Sequence, residues 1–275
     1  MIWLILSGCF RGWIADRGQF QATDIYPDRP RIVALNTQPL DLVSGQSTVV
    51  DALVLGPPGL EVGPVRAEVC GLGRDTRTRI RGIDCFEDPE EVTHLGTGTL
   101  PLSLPVPVFQ VLEECEDIDT GLDSEEQPKC FHRLPLLLQA SVDGDTVMAA
   151  SVKRWHPEPP DRPPRTALAD VPQRLQLPAQ AAAGSSVELS IELELNDPEL
   201  TFNWYIDAGE LEGTGLTVVH EVESPTAQRP SGMVRSHNRW LLPDEPGELR
   251  VWVVANRRKG PNANMSWRQA VLVVE

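Results

Sequence analysis

Val187-Glu188-Leu189-Ser190-Ile191-Glu192-Leu193-Glu194-Leu195 alternates apolar and polar residues without a break. A strict period of two places every second side chain on one face of an extended chain, so this stretch reads as a half-buried strand with an apolar core face and an acidic wet face. The same alternation returns in Phe202, Trp204 and Ile206 against Asn203, Tyr205 and Asp207. It appears again in Leu249, Val251 and Val253 against Arg250, Trp252 and Val254, and finally over Ala270 to Val274. Turn-forming residues separate these runs: Asn196-Asp197-Pro198, Ala208-Gly209, Gly213 to Gly215, Asp244 to Gly247 and Gly260-Pro261-Asn262. Roughly seven short strands in about 100 residues is the pattern of a β-sandwich.

Working outward, the phrases Phe202-Asn203-Trp204, Asp207-Ala208-Gly209-Glu210-Leu211, Trp240-Leu241-Leu242-Pro243 and Pro246-Gly247-Glu248-Leu249-Arg250-Val251 resemble bacterial immunoglobulin-like and PKD-type modules. The resemblance spans Pro172 to Glu275 and implies a core strand Trp at 204. Leu249 stands where those modules usually carry a Tyr, so their tyrosine corner is not expected. Upstream, Arg31 to Asn36, Gln38-Pro39, Gly45 to Val54 and Val65 to Cys70 resemble the opening of myxobacterial-type outer-membrane lipoproteins. Closing strands are expected at Leu134 to Val142 and Thr146 to Trp155, hinged at Asp143-Gly144-Asp145. The expected fold is all-β: two immunoglobulin-like β-sandwich domains, residues 30–155 and 172–275. A proline-rich linker, residues 156–171, joins them. His156 to Arg165 holds five prolines in ten residues, which forbids helix or internal strand and predicts an extended spacer. Phe86 to Cys130 reads as an insertion of acidic loop, with two helical turns over Val108 to Cys115 and turns at Gly71-Leu72-Gly73 and Gly96-Thr97-Gly98.

The charge balance, 24 basic against 40 acidic residues, gives −16. That is the wrong sign for sequence-independent binding to phosphate backbones, so nucleic acid is not an expected partner. The five cysteines are an odd set. Leu6-Ser7-Gly8-Cys9, after the apolar Met1 to Leu6, resembles a bacterial lipobox. It implies a signal remnant over 1–8, lipidation at Cys9, a membrane held through that lipid, an outer-membrane address and a tether over 9–29. No Lys or Arg precedes Cys9, a departure from the usual secretory pattern. Cys70, Cys85, Cys115 and Cys130 then form an even set suited to disulfides in an exported chain. The favoured pairing is Cys70 with Cys85 and Cys115 with Cys130, each closing a 15-residue separation worth roughly 3 kcal/mol on the chain-entropy account. No closely spaced Cys pair suggests zinc.

Few residues point to chemistry. Asp117, Asp119 and Asp123 sit in an acidic run that offers oxygen ligands for calcium, but Gly121 and the absent twelfth-position Glu break the EF-hand register. His94, His132, His156, His220 and His237 are scattered, and His220-Glu221 lacks the second His of a zinc-protease motif. There is no Gly-x-Ser-x-Gly elbow. Trp252, with Trp240 and Trp267, is the candidate binding surface, because an outward Trp on a sandwich face anchors proteins or stacks on sugar rings; cover by a neighbouring domain is the competing reading. The expectation is a non-enzymatic envelope protein without cofactors, holding an envelope protein or glycan. The alternative is a calcium- or carbohydrate-binding adhesion protein.

Overall fold

In the computed structural model, the residues described are 25–70, 92–109, 132–159, 167–195, 200–212, 215–218, 221–227, 231–257 and 264–275. The described residues are almost wholly β. The strands of the first half are β1 (Arg31–Gln38), β2 (Leu42–Val43), β3 (Ser47–Leu55), β4 (Val62–Cys70), β5 (Val92–Gly98), β6 (Leu102–Pro105), β7 (His132–Val142) and β8 (Asp145–His156). Those of the second half are β9 (Gln173–Gln176), β10 (Gln180–Ala181), β11 (Ser186–Leu193), β12 (Leu200–Ile206), β13 (Glu210–Leu211), β14 (Leu216–Val218), β15 (Glu221–Glu223), β16 (Met233–Leu241), β17 (Gly247–Arg257) and β18 (Asn264–Val274). No helix among the described residues is long and apolar enough to cross a membrane.

The first sandwich packs a three-stranded sheet, β1-β3-β6, on a five-stranded one, β2-β8-β7-β4-β5. Its core joins Leu35, Val50 and Leu104 to Val65, Val69, Leu134, Leu136, Leu138 and Trp155. The β7–β8 hairpin turns where the sequence places it: Asp143 (φ 50°) and Gly144 (φ 88°) both take the left-handed conformation a two-residue hairpin loop needs. The second sandwich packs β10-β18-β17-β12-β14 on β13-β16-β11-β9, with β15 also paired to β16. In β11 the alternation holds residue by residue, with Val187, Leu189, Ile191 and Leu193 buried and Ser186 and Glu188 exposed. Trp204, Trp240 and Phe202 fill this core, each with no exposed surface.

Five expectations need correction. Residues 92–105 are not loop: β5 and β6 complete one sheet each. Gly96-Thr97-Gly98 is strand, not turn. A Cβ at Gly96 would lie 2.8 Å from Leu104 and one at Gly98 2.7 Å from Leu102, so the glycines let β6 side chains cross close to β5. The end of the expected spacer is not free, since Ala167, Leu168 and Val171 are buried and Leu168 and Val171 belong to the second core. Nor is the end of the expected tether free: Ile25 is buried in that same core, and the Tyr26 hydroxyl donates to the Gly209 carbonyl at 2.5 Å. Val108 and Phe109, described, are not helical; Phe109 packs edge-on against Trp155 with ring centroids 5.5 Å apart. The rest of the expected helix, with Gly71 to Gly73 and His220, lies outside the described residues.

The two sandwiches meet face to face. In β1, Leu35 points into the first core while its neighbour Ala34 is buried on the opposite face, in a cluster with Leu55, Tyr205, Trp252 and Val254. Adjacent strand residues point to opposite sides, so the three-stranded sheet is covered on both. The outer face of the β12-β17-β18 region supplies the other wall, which explains why β12 reads as buried on nearly every residue. Four sheets therefore lie in series, and the second and third share an apolar seam.

Candidate functional site

The seam is apolar at one end and polar at the other, because β1 and β3 change character along their length. Their register pairs Arg31 with Leu55 and Ala34 with Leu53 at one end, then Asn36 with Asp51 and Gln38 with Val49. At the apolar end Trp252 is 4% exposed, with the Arg250 guanidinium 5.0 Å from its ring centre. Asp207 holds that guanidinium, accepting from Arg250 Nε at 2.9 Å and from Nη2 at 3.2 Å. A cation over an indole face adds attraction beyond burial. Trp252 is thus cover for the first sandwich and not an exposed binding surface. Trp240 is not one either: it is in the second core, its Nε1 donating to the Ala208 carbonyl at 2.8 Å. Trp267 is half-buried and packs against the seam cluster.

At the polar end the sheets part to leave a cleft of about 320 Å³, at the lower end of the usual range for ligand pockets. The first sandwich lines it with Asn36, Thr37, Gln38, Val49, Asp51 and Pro101, the second with Ala169, Ser266, Trp267 and Arg268. Three hydrogen bonds tie its rim. Gln38 Nε2 donates to Asp170 Oδ1 at 2.9 Å across the two halves. Gln173 Nε2 donates to Ser266 Oγ at 2.8 Å and to the Leu168 carbonyl at 2.6 Å.

Several cleft groups keep unused hydrogen-bonding capacity. Asp51 Oδ1 accepts the Ala52 backbone N–H at 2.9 Å, which leaves Oδ2 without a protein partner among the described residues. Burial raises the Asp51 pKa above the ordinary 3.8, and the Ala52 N–H opposes this in part. Asn36 Oδ1 accepts from the Thr37 N–H at 2.9 Å, so its Nδ2 stays uncommitted although the residue is buried. Arg268 Nη1 donates to the Trp267 carbonyl at 2.8 Å, and its other N–H groups are unspent within the described residues. Among the described residues neither a second carboxylate nor a histidine lines the cleft, although the Asp170 carboxylate stands at its rim.

Of the remaining expected sites, Cys70 is buried at the end of β4 and disulfide-bonded. Its partner is outside the described residues, as are Cys9, Cys85, Cys115 and Cys130 and the candidate calcium ligands Asp117, Asp119 and Asp123. No group of three His, Cys, Asp or Glu side chains suited to a metal occurs among the described residues. The cleft was not foreseen from the sequence; the signal for it was the change along one face of β1 from Ala34 to Asn36 and Gln38, with Asp51 standing between Val49 and Leu53 on the same face of β3.

No family model matches the chain, and no curated protein matches it. Among solved structures it is similar to red sea bream transglutaminase, with 11% identity, 90% of this chain and 31% of that one covered, and a TM-score of 0.31. It is similar also to Escherichia coli alpha-2-macroglobulin (13% identity, 90% and 17% covered, TM-score 0.27) and to Salmonella alpha-2-macroglobulin reacted with methylamine (14%, 90% and 16%, 0.28). The chain spans less than a third of the length of each of these. At these TM-scores the likeness is no guide to activity.

Proposed function

We propose that this chain is a non-enzymatic envelope protein, anchored through a lipid on Cys9, that acts as one rigid two-sandwich body holding an envelope partner. The observation that supports this reading is the seam. A freely jointed pair of modules would leave both sandwich faces in water, whereas here Ala34, Leu55, Tyr205, Trp252 and Val254 are buried between them. Rigidity suits a protein that positions something else. The anchor rests on Leu6-Ser7-Gly8-Cys9. From Cys9 to Ile25, the first residue described, is 16 residues, a reach of at most about 55 Å.

The described end of the expected tether, residues 25–29, leads into β1 at the apolar end of the seam. Arg31 Nη2 donates to the Tyr26 carbonyl at 3.1 Å, and its guanidinium lies 5.7 Å from the Tyr205 ring centre. From there β1 runs to Gln38 at the polar end, about 23 Å away at strand rise. The cleft therefore lies at the end of the seam opposite to the one where Arg31 begins β1.

The test is the intact mass of protein extracted from native membranes. A mature chain beginning at acylated Cys9 is expected, lost in Cys9→Ala. A soluble product retaining Met1 overturns the anchor. Mapping of unreduced peptides from the same sample is expected to join Cys70 to Cys85 and Cys115 to Cys130, and any cross-pairing refutes those two staples. A carbohydrate-binding role is the second reading, favoured by the uncommitted polar groups of the cleft.

A further inference from the structure

We infer that the cleft at the polar end of the seam is a binding site for a neutral saccharide of one or two rings. This rests on the carbohydrate-binding reading just given and extends it to named groups, but it does not depend on the lipid. Asp51 Oδ2 and Asn36 Nδ2 come from directly opposed positions of β1 and β3, so an acceptor and a donor sit side by side on one wall. Vicinal hydroxyls of a sugar, each both donor and acceptor, match such a pair. Trp267, on the seam face of β18, gives the facing wall an aromatic for the apolar C–H face of a pyranose; Arg268, which the register places on the other face of β18 opposite Val253, also contributes to the lining and brings a further donor.

Charge selects the class. The cleft is lined by one carboxylate, Asp51, and one guanidinium, Arg268, which form no ion pair with each other among the described residues; a second carboxylate, Asp170, stands at its rim, where it accepts from Gln38. An anionic ligand meets Asp51 in a chain of net charge −16, and a cationic one meets Arg268. A lipid tail meets mostly polar walls. A neutral polyhydroxy ligand can hydrogen-bond both the Asn36 amide and the partly desolvated Asp51 carboxylate without bringing a charge of its own into the cleft.

The experiment titrates the full-length protein in detergent with cellobiose, maltose and N,N′-diacetylchitobiose, with digalacturonate and glucosamine as charged comparisons, by calorimetry. At least one neutral disaccharide is expected to bind with Kd on the order of 1 mM. Asp51→Asn and Arg268→Gln are each expected to weaken it about tenfold or more, while Arg239→Gln, on a distant sheet, leaves it unchanged. Asp51→Asn keeps the oxygen that accepts from Ala52 and removes a desolvated charge, so its melting temperature should equal or exceed that of the parent. Loss of binding in that variant is then not loss of fold. No heat with any neutral disaccharide at tens of millimolar, binding by the two cleft variants as tight as the parent's, or preference for a charged sugar overturns the inference. Acylation of Cys9 is read separately by mass, so failure of the anchor and failure of the site are distinguishable.

Discussion

Trp252 carries the heaviest single role in the seam, and replacing it with Ala tests that role. The side chain is 4% exposed and contacts the first sandwich, so truncation removes apolar burial and leaves a cavity between two sheets. Large-to-small changes of this type cost roughly 3–5 kcal/mol. Trp252→Ala is therefore expected to lower the urea midpoint markedly, and unchanged stability would show that the seam contributes little. Asp51 makes the opposite prediction. Its folded pKa lies above its unfolded value of 3.8, so the folded state binds the proton more tightly and the ionised form opposes folding. That opposition is complete above the folded pKa and disappears as pH falls through it and below the ordinary value. Asp51→Asn should hence stabilise the protein at neutral pH, with the advantage over the parent shrinking in acid. Thermal melts of both proteins from neutral pH to about pH 3 check the convergence. At Gly209 the requirement is steric: φ is +89°, and a Cβ there would collide with the Leu241 carbonyl and come within 2.8 Å of Trp240 Nε1. Its own carbonyl receives the Tyr26 hydroxyl, so one glycine shapes the β12–β13 turn and anchors the incoming chain.

Among elements, β11 was legible from its residues alone because one face meets a core and the other meets water. That wet face pairs in register with β16, Glu188 opposite Arg239 and Glu192 opposite Arg235. Arg235 Nε donates to Glu192 at 2.8 Å and Nη1 to Glu221 at 2.9 Å; Arg239 reaches Glu188 and Glu212 and is more exposed. Arg235→Ala is expected to cost up to about 1 kcal/mol, less at high salt, and more than Arg239→Ala. Urea melts at low and high ionic strength read this, and an equal effect of the two substitutions would contradict it. β12 and β17 were legible as strands but not as buried on both faces, since Tyr205, Trp252 and Val254 look outward when only one domain is considered. Their burial comes from a partner distant in sequence, and no local period encodes that. β5 and β6 were missed because two glycines and the prolines around them carry a turn composition, whereas in place the missing Cβ atoms make room for Leu102 and Leu104. The cleft was hidden for the first of these reasons: Asn36 and Asp51 share a wall with Trp267 and Arg268 only after the two halves stack.

For the molecule as a whole, the seam predicts that the two sandwiches behave as one body. The covalent connection through residues 160–166 is then not what keeps them together. A protease site inserted there and cut in the native protein is expected to leave two fragments that co-elute in size exclusion at the parent volume. Adding Trp252→Ala should weaken that association, and fragments that separate in the parent background would refute a stable seam. The arrangement also gives the three-stranded sheet an unusual position, with Leu35, Val50 and Ala52 filling one core while Ala34 and Leu55 fill the seam. Neither of its faces is free to drift in sequence as the solvent side of an ordinary sandwich does. Recombination at the proline-rich stretch would hand each descendant a raw apolar wall, Ala34 and Leu55 on one, Tyr205 and Trp252 on the other. Such orphans would aggregate or seek a new mate. The heritable module in this protein is accordingly the pair, and a gene that borrows from it must take both halves or rebuild the face it leaves behind.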